Sequence, residues 1–412
     1  MNILIVVESI DIDNSSGSKA NVALINNLQK SGFKLKVYHY SRKELQLNNI
    51  ECINIPEKRK SILFLLSRGE RYIRYISNLH LNKYFEKFFG FSFTLLNDRN
   101  SIIRAIEKEK SFNPNWVLTL SQGGSFRPHH ALLKIPKLHS KWIAYIHDPY
   151  PMHWYPKPYT WKESGFEKKE AFMMKIADKC TVTAFPSQLL MEWMGQHYKY
   201  YLEKGVVIPH QLQEATNFDT LTRDNRLDSN TFTLLHAGNL LQARKPHALV
   251  EGFLKFKKDN SGVAAMLLFI GPTEHYKTYL QEQSDNDASI QVEFDSKPFK
   301  DVLALQKAVD VNIILEAKAN FSPFLPGKFP HCIQAEKPIL ILGPLKSEVR
   351  RLLGAKYPYW SPRDDSQRIA SNIQELYNNW TEGNKHLIRE DLKKYLSAKH
   401  LREVIDSLPR ST

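Results

Sequence analysis

The sequence has little cysteine: three residues in 412, Cys52, Cys180 and Cys332, far apart and with no CxxC pair. That argues against a disulfide framework and a zinc site, and it fits a reducing cytoplasm. Long apolar runs are missing as well. No stretch approaches the roughly 18 apolar residues of a membrane span. The longest, 3–7, 62–66, 264–270 and 338–342, have the length of a buried strand or core helix. The opening MNILIVVES lacks the basic leader and long apolar region of a secretory signal and reads as a first strand. No GxGxxG is present, which argues against NAD or FAD. No helix-turn-helix, zinc or RNA-binding pattern is present, so nucleic acid is not an expected partner. Short-period repeats and low-complexity tracts are absent too.

What is there suits two domains of about 200 residues each. Apolar content of 42% and charged content of 24% are ordinary for a soluble globular chain. The net charge of +14 is not spread evenly. Residues 57–90 carry eight basic side chains, among them Arg68, Arg71, Arg74, Lys83 and Lys87, against Glu57, Glu70 and Glu86. Aromatic and aliphatic residues interleave with them. A basic helix with an apolar face reads as a membrane-surface element. The same pattern also reads as a solvated basic face over a local core.

The βα rhythm is clear. Residues 3–7 form a continuous aliphatic run, as in a buried parallel strand. The loop DIDNSSGS follows, then a helical pattern over 19–30 closed by Gly32, then a strand over 34–40. Further strands are expected at 116–120, 141–146, 180–184 and 206–209. Residues 211–230, polar and of mixed charge, form the best linker. The rhythm then restarts, with strands at 232–237, 264–270, 290–294, 311–315 and 339–342 and a helix over 246–258. This pattern predicts an α/β chain of two Rossmann-like, doubly wound domains, with ligands in the crevices beyond the strand ends. The expected boundaries are 1–212 and 213–383, with a helical tail over 384–412 that packs back on the N-terminal domain.

Three segments draw attention as sites. In NFSPFLPGKFPHCIQAEKPILIL (320–342) a Pro- and Gly-broken loop runs into a short helix, with Lys328 at its start and His331 one turn on. Free N–H groups at a helix start form a candidate seat for a phosphate or diphosphate. Gly17, between Ser16 and Ser18, lies in the first βα loop, where glycine lets backbone approach a ligand. His147 and Asp148 end a strand ahead of the Pro-rich HDPYPMHWYPKP, where site residues of such folds gather. Asp148 has the chemistry of a proton acceptor. His153, Trp154 and Tyr155 are candidates to line an acceptor groove. The histidines at 129, 130, 139, 147 and 153 match no ligand spacing, and no metal is expected.

Five pieces in order, SSGSKANVALINNLQKSGFKLKV, IHDPYP, FPSQLLMEWM, LLHAGNLLQARKP and SPFLPGKFPHCIQAEKPILIL, resemble a GT-B glycosyltransferase close to family 4. The resemblance implies two Rossmann-like domains facing across a cleft. It also implies hexosyl transfer from a UDP- or GDP-linked sugar to a saccharide or lipid-linked acceptor, in cell-surface polysaccharide assembly. It further implies a retaining reaction that needs no metal. On that resemblance Arg244 stands where the family places its phosphate-binding arginine, with Lys245 adjacent and Lys328 as a second cation. His147 contacts a donor hydroxyl, and Gly17 faces the donor phosphates. Lys297 and Pro298 fall in the segment that reads the base through backbone groups. Relatives carry two glutamates eight residues apart, and here those positions hold Pro323 and His331. His331 is then a substitute ribose partner, and Ser322 a substitute contact for the donor sugar.

Overall fold

The computed structural model of the chain describes residues 1–213 and 226–409. Of the expected linker, residues 214–225 lie outside the described residues. The chain divides into two compact units, one comprising Met1–Tyr155, Tyr159–Gln211 and Ser397–Thr412, the other Pro156–Pro158 and Leu212–Leu396.

The first unit is built on a seven-stranded parallel sheet. Its strands are β1 (Asn2–Val7), β2 (Lys34–His39), β3 (Glu51–Asn54), β4 (Trp116–Leu120), β5 (Trp142–Tyr145), β6 (Val182–Phe185) and β7 (Gly205–Val207). The order is β3-β2-β1-β4-β5-β6-β7, and the strand order reverses between β1 and β4. β1, β4, β5 and β6 are buried almost throughout, which is why they read as unbroken aliphatic and aromatic runs. Helix α1 spans Ser16–Lys30, three residues earlier than its apolar pattern begins. The Ser15 hydroxyl accepts from Ser18 N at 3.1 Å, so the polar Ser-Gly-Ser run becomes the capped first turn. The helix closes as expected, with Gly32 at φ +82.

The second unit carries a six-stranded parallel sheet. Its strands are β8 (Phe232–Ala237), β9 (Ala265–Ile270), β10 (Ile290–Glu293), β11 (Val311–Leu315), β13 (Ile339–Leu342) and β15 (Trp360–Ser361). Their order is β10-β9-β8-β11-β13-β15, so this sheet reverses between β8 and β11. The short strands β12 (Phe321–Ser322) and β14 (Lys346–Ser347) pair separately. Both halves therefore share one doubly wound topology.

The C-terminal tail is divided between the units. The helix Glu390–Tyr395 belongs to the second, where Leu392 joins the core beside Phe329. The helix Ala398–Asp406 belongs to the first. There Leu401 and Ile405 pack with Ile25 and Leu28, and Arg402 Nη1 donates to Ser31 O at 2.6 Å. Among the described residues no helix is long and apolar enough to cross a membrane.

Candidate functional site

In the second unit, the reversal between β8 and β11 should open a crevice beyond the carboxyl ends of those strands. β8 is followed by Gly238 (φ +136) and β9 by Gly271 (φ +125). A Cβ at Gly271 would stand 2.8 Å from Gly238 O, so the two backbones come closer than a side chain permits. Among the described residues a Cβ at Gly238 would meet nothing within 4 Å except the Lys328 ammonium, at 3.9 Å. The space over that backbone is open and faces a cation.

Lys328 reaches back to both strands at the reversal. Its Nζ donates to Ala237 O at 3.0 Å and to Ile313 O at 3.1 Å. An ammonium has three N–H donors, so one remains for a ligand. Burial holds the Lys328 pKa down to about 8, and the Arg244 charge pushes the same way. The helix that Lys328 precedes, Phe329–Gln334, corrects one expectation. Phe329 N is already bonded to Pro326 O at 2.8 Å, Pro330 has no N–H, and Cys332 N returns to Lys328 O. So short a helix start offers an anion little, and the positive charge of this site comes from side chains instead.

Arg244 hangs from a fastened loop. Leu240 N donates to Pro272 O and Leu240 O accepts from Thr273 Oγ1, each at 3.2 Å. Gln242 O accepts from the Tyr276 hydroxyl, and Ala243 O accepts from Arg363 Nη1 at 2.8 Å. On that base Arg244 Nε is buried with no hydrogen-bond partner among the described residues. An unsatisfied buried donor costs about 1–3 kcal/mol, more when charged, so the geometry is prepared for an incoming acceptor. Lys245 beside it is exposed.

Glu316, at the end of β11, is the carboxylate of this site. Its Oε1 accepts from Ser322 Oγ at 2.6 Å. Burial raises its pKa to about 7, while Ser322, Ser347 and the Arg244 charge pull it down. Sequence spacing left it aside, because it does not fall where relatives carry acids. Its signal was its place as the first polar residue after a buried strand. Ser322 is thus tied to Glu316. His331 is buried, with its ring edge-on to Phe299 at 4.9 Å. Lys297 pairs with Glu293 at 2.8 Å, and Pro298 leads into the helix Phe299–Ala308.

In the first unit the strand ends carry neutral groups instead. Asn21 Nδ2 donates to Ser121 O at 3.1 Å, which leaves its Oδ1 to accept from His147 Nε2 at 2.8 Å. That partnership puts the His147 proton on Nε2 and leaves a lone pair on Nδ1. Burial, with His210 and His129 nearby, keeps the imidazole neutral by lowering its pKa well below 6.5. Gln122 Nε2 donates to the Ser15 and Ser18 hydroxyls at the start of α1. Gly17 sits in that first turn. A Cβ there would meet Gln122 Cγ at 3.5 Å and Ser15 Oγ at 3.6 Å, ordinary contacts, so nothing within the unit demands glycine. Close by, two cations answer two carboxylates: Arg127 pairs with Glu8 and, at 2.8 Å, with Asp98, which Arg42 also meets at 3.4 Å.

The acceptor-groove residues need a correction. Trp154 is only 3% exposed, lies in the hydrophobic core and stacks on His197 at 4.9 Å, so its indole cannot wall a groove. His153 pairs with Glu170 at 3.4 Å and sits edge-on to Phe166. Tyr155 is half-buried and feels the Asp148 charge, which with burial raises its hydroxyl pKa. Of the three, Tyr155 remains associated with the His147–Asp148 end of β5. Among the described residues no group of three or more His, Cys, Asp or Glu could hold a metal ion.

No protein-family model matches the chain, and no curated protein matches it. Solved structures do. The chain is similar to HepE of Anabaena in complex with UDP and glucose, at 10% identity and a TM-score of 0.59, covering 98% of this chain and 95% of that one. It is similar to a UDP-forming α,α-trehalose-phosphate synthase from Burkholderia xenovorans, at 10% identity and a TM-score of 0.63, covering 98% of each. Such a synthase in complex with glucose-6-phosphate matches at 9% identity and a TM-score of 0.62, over 98% of this chain and 99% of that one. At these identities the likeness is one of fold: an α/β chain of the GT-B type, with two Rossmann-like domains.

Proposed function

We propose that this chain is a glycosyltransferase that takes a sugar from a nucleoside-diphosphate donor held by the second unit. The observation that carries the reading is the buried, unpartnered Arg244 Nε, its charge felt by Lys328, whose ammonium faces the backbone of Gly238 where the second sheet reverses. A departing nucleoside diphosphate gains negative charge, and oriented cations in a water-poor site stabilise it most. The guanidinium fork suits two phosphate oxygens, and the third ammonium N–H of Lys328 suits one more. Two fixed cations supply the neutralisation that a metal would otherwise give, so the reading is metal-independent. Glu316, with Ser322, is the acid best placed to take a donor-sugar hydroxyl in place of the glutamates missing at 323 and 331.

The first unit supplies the acceptor side. An acceptor hydroxyl attacks the anomeric carbon, the bond from that carbon to the diphosphate oxygen breaks, and the electron pair leaves with the nucleoside diphosphate. The hydroxyl proton passes to His147 Nδ1, the lone pair that Asn21 holds available, with Asp148, next in sequence, as the alternative acceptor. A saccharide or lipid-linked acceptor in surface polysaccharide assembly, in the cytoplasm, fits the resemblance. Retention, expected on the same ground, requires the hydroxyl to approach on the face from which the diphosphate leaves, and it is read from the anomeric proton of the product.

The absence of carboxylates at Pro323 and His331 favours one second reading, a non-catalytic nucleotide-sugar-binding partner of the same fold. Thermal-shift measurements with UDP, GDP and their glucose conjugates, followed by an assay of nucleoside-diphosphate release, separate the two. A shift with slow donor hydrolysis supports the enzyme. A shift without release supports the binding partner, and no shift with any nucleotide removes both.

A further inference from the structure

Helix α2 (Ile62–Ser77) of the first unit is turned the wrong way for an ordinary surface helix. Helix α3 (Asn82–Phe89) leans Phe85 and Phe89 on Phe93, at 4.8 and 5.6 Å, while leaving Tyr84 and Phe88 exposed. An amphipathic helix normally buries its apolar stripe and shows its polar face. In α2 the buried residues are Ser67 and Glu70, while Ile62 is 77% exposed, Tyr75 88% and Ile76 64%. α3 buries no residue, and its Phe88 is 68% exposed. Polar bonds fix this orientation. The Ser61 hydroxyl caps α2 and donates to Asn97 Oδ1 at 2.6 Å, and Lys58 N donates to Ser101 Oγ at 2.9 Å. Both acceptors lie on α4 (Phe93–Lys108). Of the 18 exposed large apolar side chains among the described residues, 11 fall within 62–89.

The charge around this apolar face has one sign. The local acids are used internally: Glu57 pairs with Arg59 and Arg68, Glu86 pairs with Lys169, and Glu70 is buried. Lys60, Arg74, Lys83 and Lys87 remain exposed beside the apolar side chains. A second copy of the same face would bring these cations against their own kind, which costs free energy. An anionic lipid surface meets both features at once: the acyl boundary takes Ile, Leu and Phe, Tyr settles at headgroup level, and the basic side chains reach phosphates.

We propose that α2 and α3 are a membrane-docking surface that lays the first unit on an anionic bilayer, reversibly and in the interface plane. This does not depend on the glycosyltransferase reading. The test is flotation of the full chain with vesicles of phosphatidylcholine alone or with phosphatidylglycerol added, at low and high salt. Binding is expected to the anionic vesicles at low salt and to weaken steeply as salt rises. The triple variant Arg74→Glu, Lys83→Glu, Lys87→Glu should bind at least about a hundredfold more weakly. The variant Ile62→Ser, Ile76→Ser, Phe88→Ser should also lose binding while keeping its melting temperature, because none of the three is buried. Absence of binding at any salt overturns the proposal, as does equal binding to neutral vesicles. So does concentration-dependent dimerisation of the parent chain that the apolar variant abolishes, which would make the face an interface between copies.

Discussion

The two sheets have the same inner order, each reversing after its first strand, yet their ends carry opposite chemistry. At the β1–β4 reversal the polar groups are neutral or cancel: His147 bonds Asn21, Gln122 bonds Ser18, and Arg127 and Arg42 answer Glu8 and Asp98. At the β8–β11 reversal Lys328 faces the Gly238 backbone and Arg244 lies close enough to feel its charge, each with a donor to spare. Topology therefore fixes where a ligand can go, and the side chains decide which kind. A neutral lattice of donors and acceptors suits sugar hydroxyls. A cationic seat suits a diphosphate.

The largest effect that would break this division lies in the first unit. His147→Ala should lower sugar transfer by about 10²–10⁴-fold if Nδ1 takes the acceptor proton. Nucleoside-diphosphate affinity should stay unchanged, as titration calorimetry would show. A tenfold loss or less would make His147 a hydroxyl partner and hand the proton to Asp148.

The next effect is one of stability and concerns Glu316. Its folded-state pKa of about 7 lies above the ordinary 4.5. Between these values the native chain keeps a proton that the unfolded chain has lost, so stability falls as pH rises through the window and is level above it. The whole fall is roughly 3 kcal/mol. Glu316→Gln should abolish that slope in urea melts at pH 5 and pH 8, and equal slopes in parent and variant would show Glu316 ionised throughout. Somewhat smaller is Arg244→Ala, which should weaken diphosphate binding by about 1.5–3 kcal/mol, the range for a charged hydrogen bond. The melting temperature of the free protein should hold or rise, since Nε has no partner to lose. Unchanged affinity would remove Arg244 from the seat.

Much of this was legible in the chain, and the unread parts share a cause. β4, β8, β11 and β13 are buried on both faces, so their aliphatic runs gave their limits to the residue. Arg244 was singled out by the family resemblance and by nothing in its local pattern. What a local pattern cannot contain is the direction of a long side chain. Lys328 turns to carbonyls 91 and 15 residues away, and Trp154 goes into the core although its neighbours line a loop. The start of α1 was hidden because Ser-Gly-Ser carries no apolar period and only the Ser15 cap reveals a helix. Residues 57–90 read as a membrane element or as a basic face over a core, because the sequence shows that a helix has two faces without saying which is buried. Seating Ser67 and Glu70 inward settles that much.

The finest test of the comparison is a pH profile, because the β8–β11 end has a cation, Lys328, that titrates near neutrality. Lys328 is held down to about pKa 8, against an ordinary 10.5, by burial. Its folded-state value lies below the unfolded one, so the free protein gains stability as pH rises from about 8 towards 10.5, while the seat loses its charge. A bound diphosphate favours the ammonium, and above pH 8 binding must take up a proton. Affinity for UDP should be level from pH 7 to 8, where a terminal phosphate is already ionised. It should then fall by up to about tenfold per pH unit, or about 1.4 kcal/mol. Lys328→Met should bind UDP more weakly and without that fall, whereas His147→Ala should keep the parent profile. A parent profile level to pH 9.5, together with unchanged affinity in Lys328→Met, would mean that the third N–H of Lys328 never meets the ligand and would leave Arg244 to carry the seat.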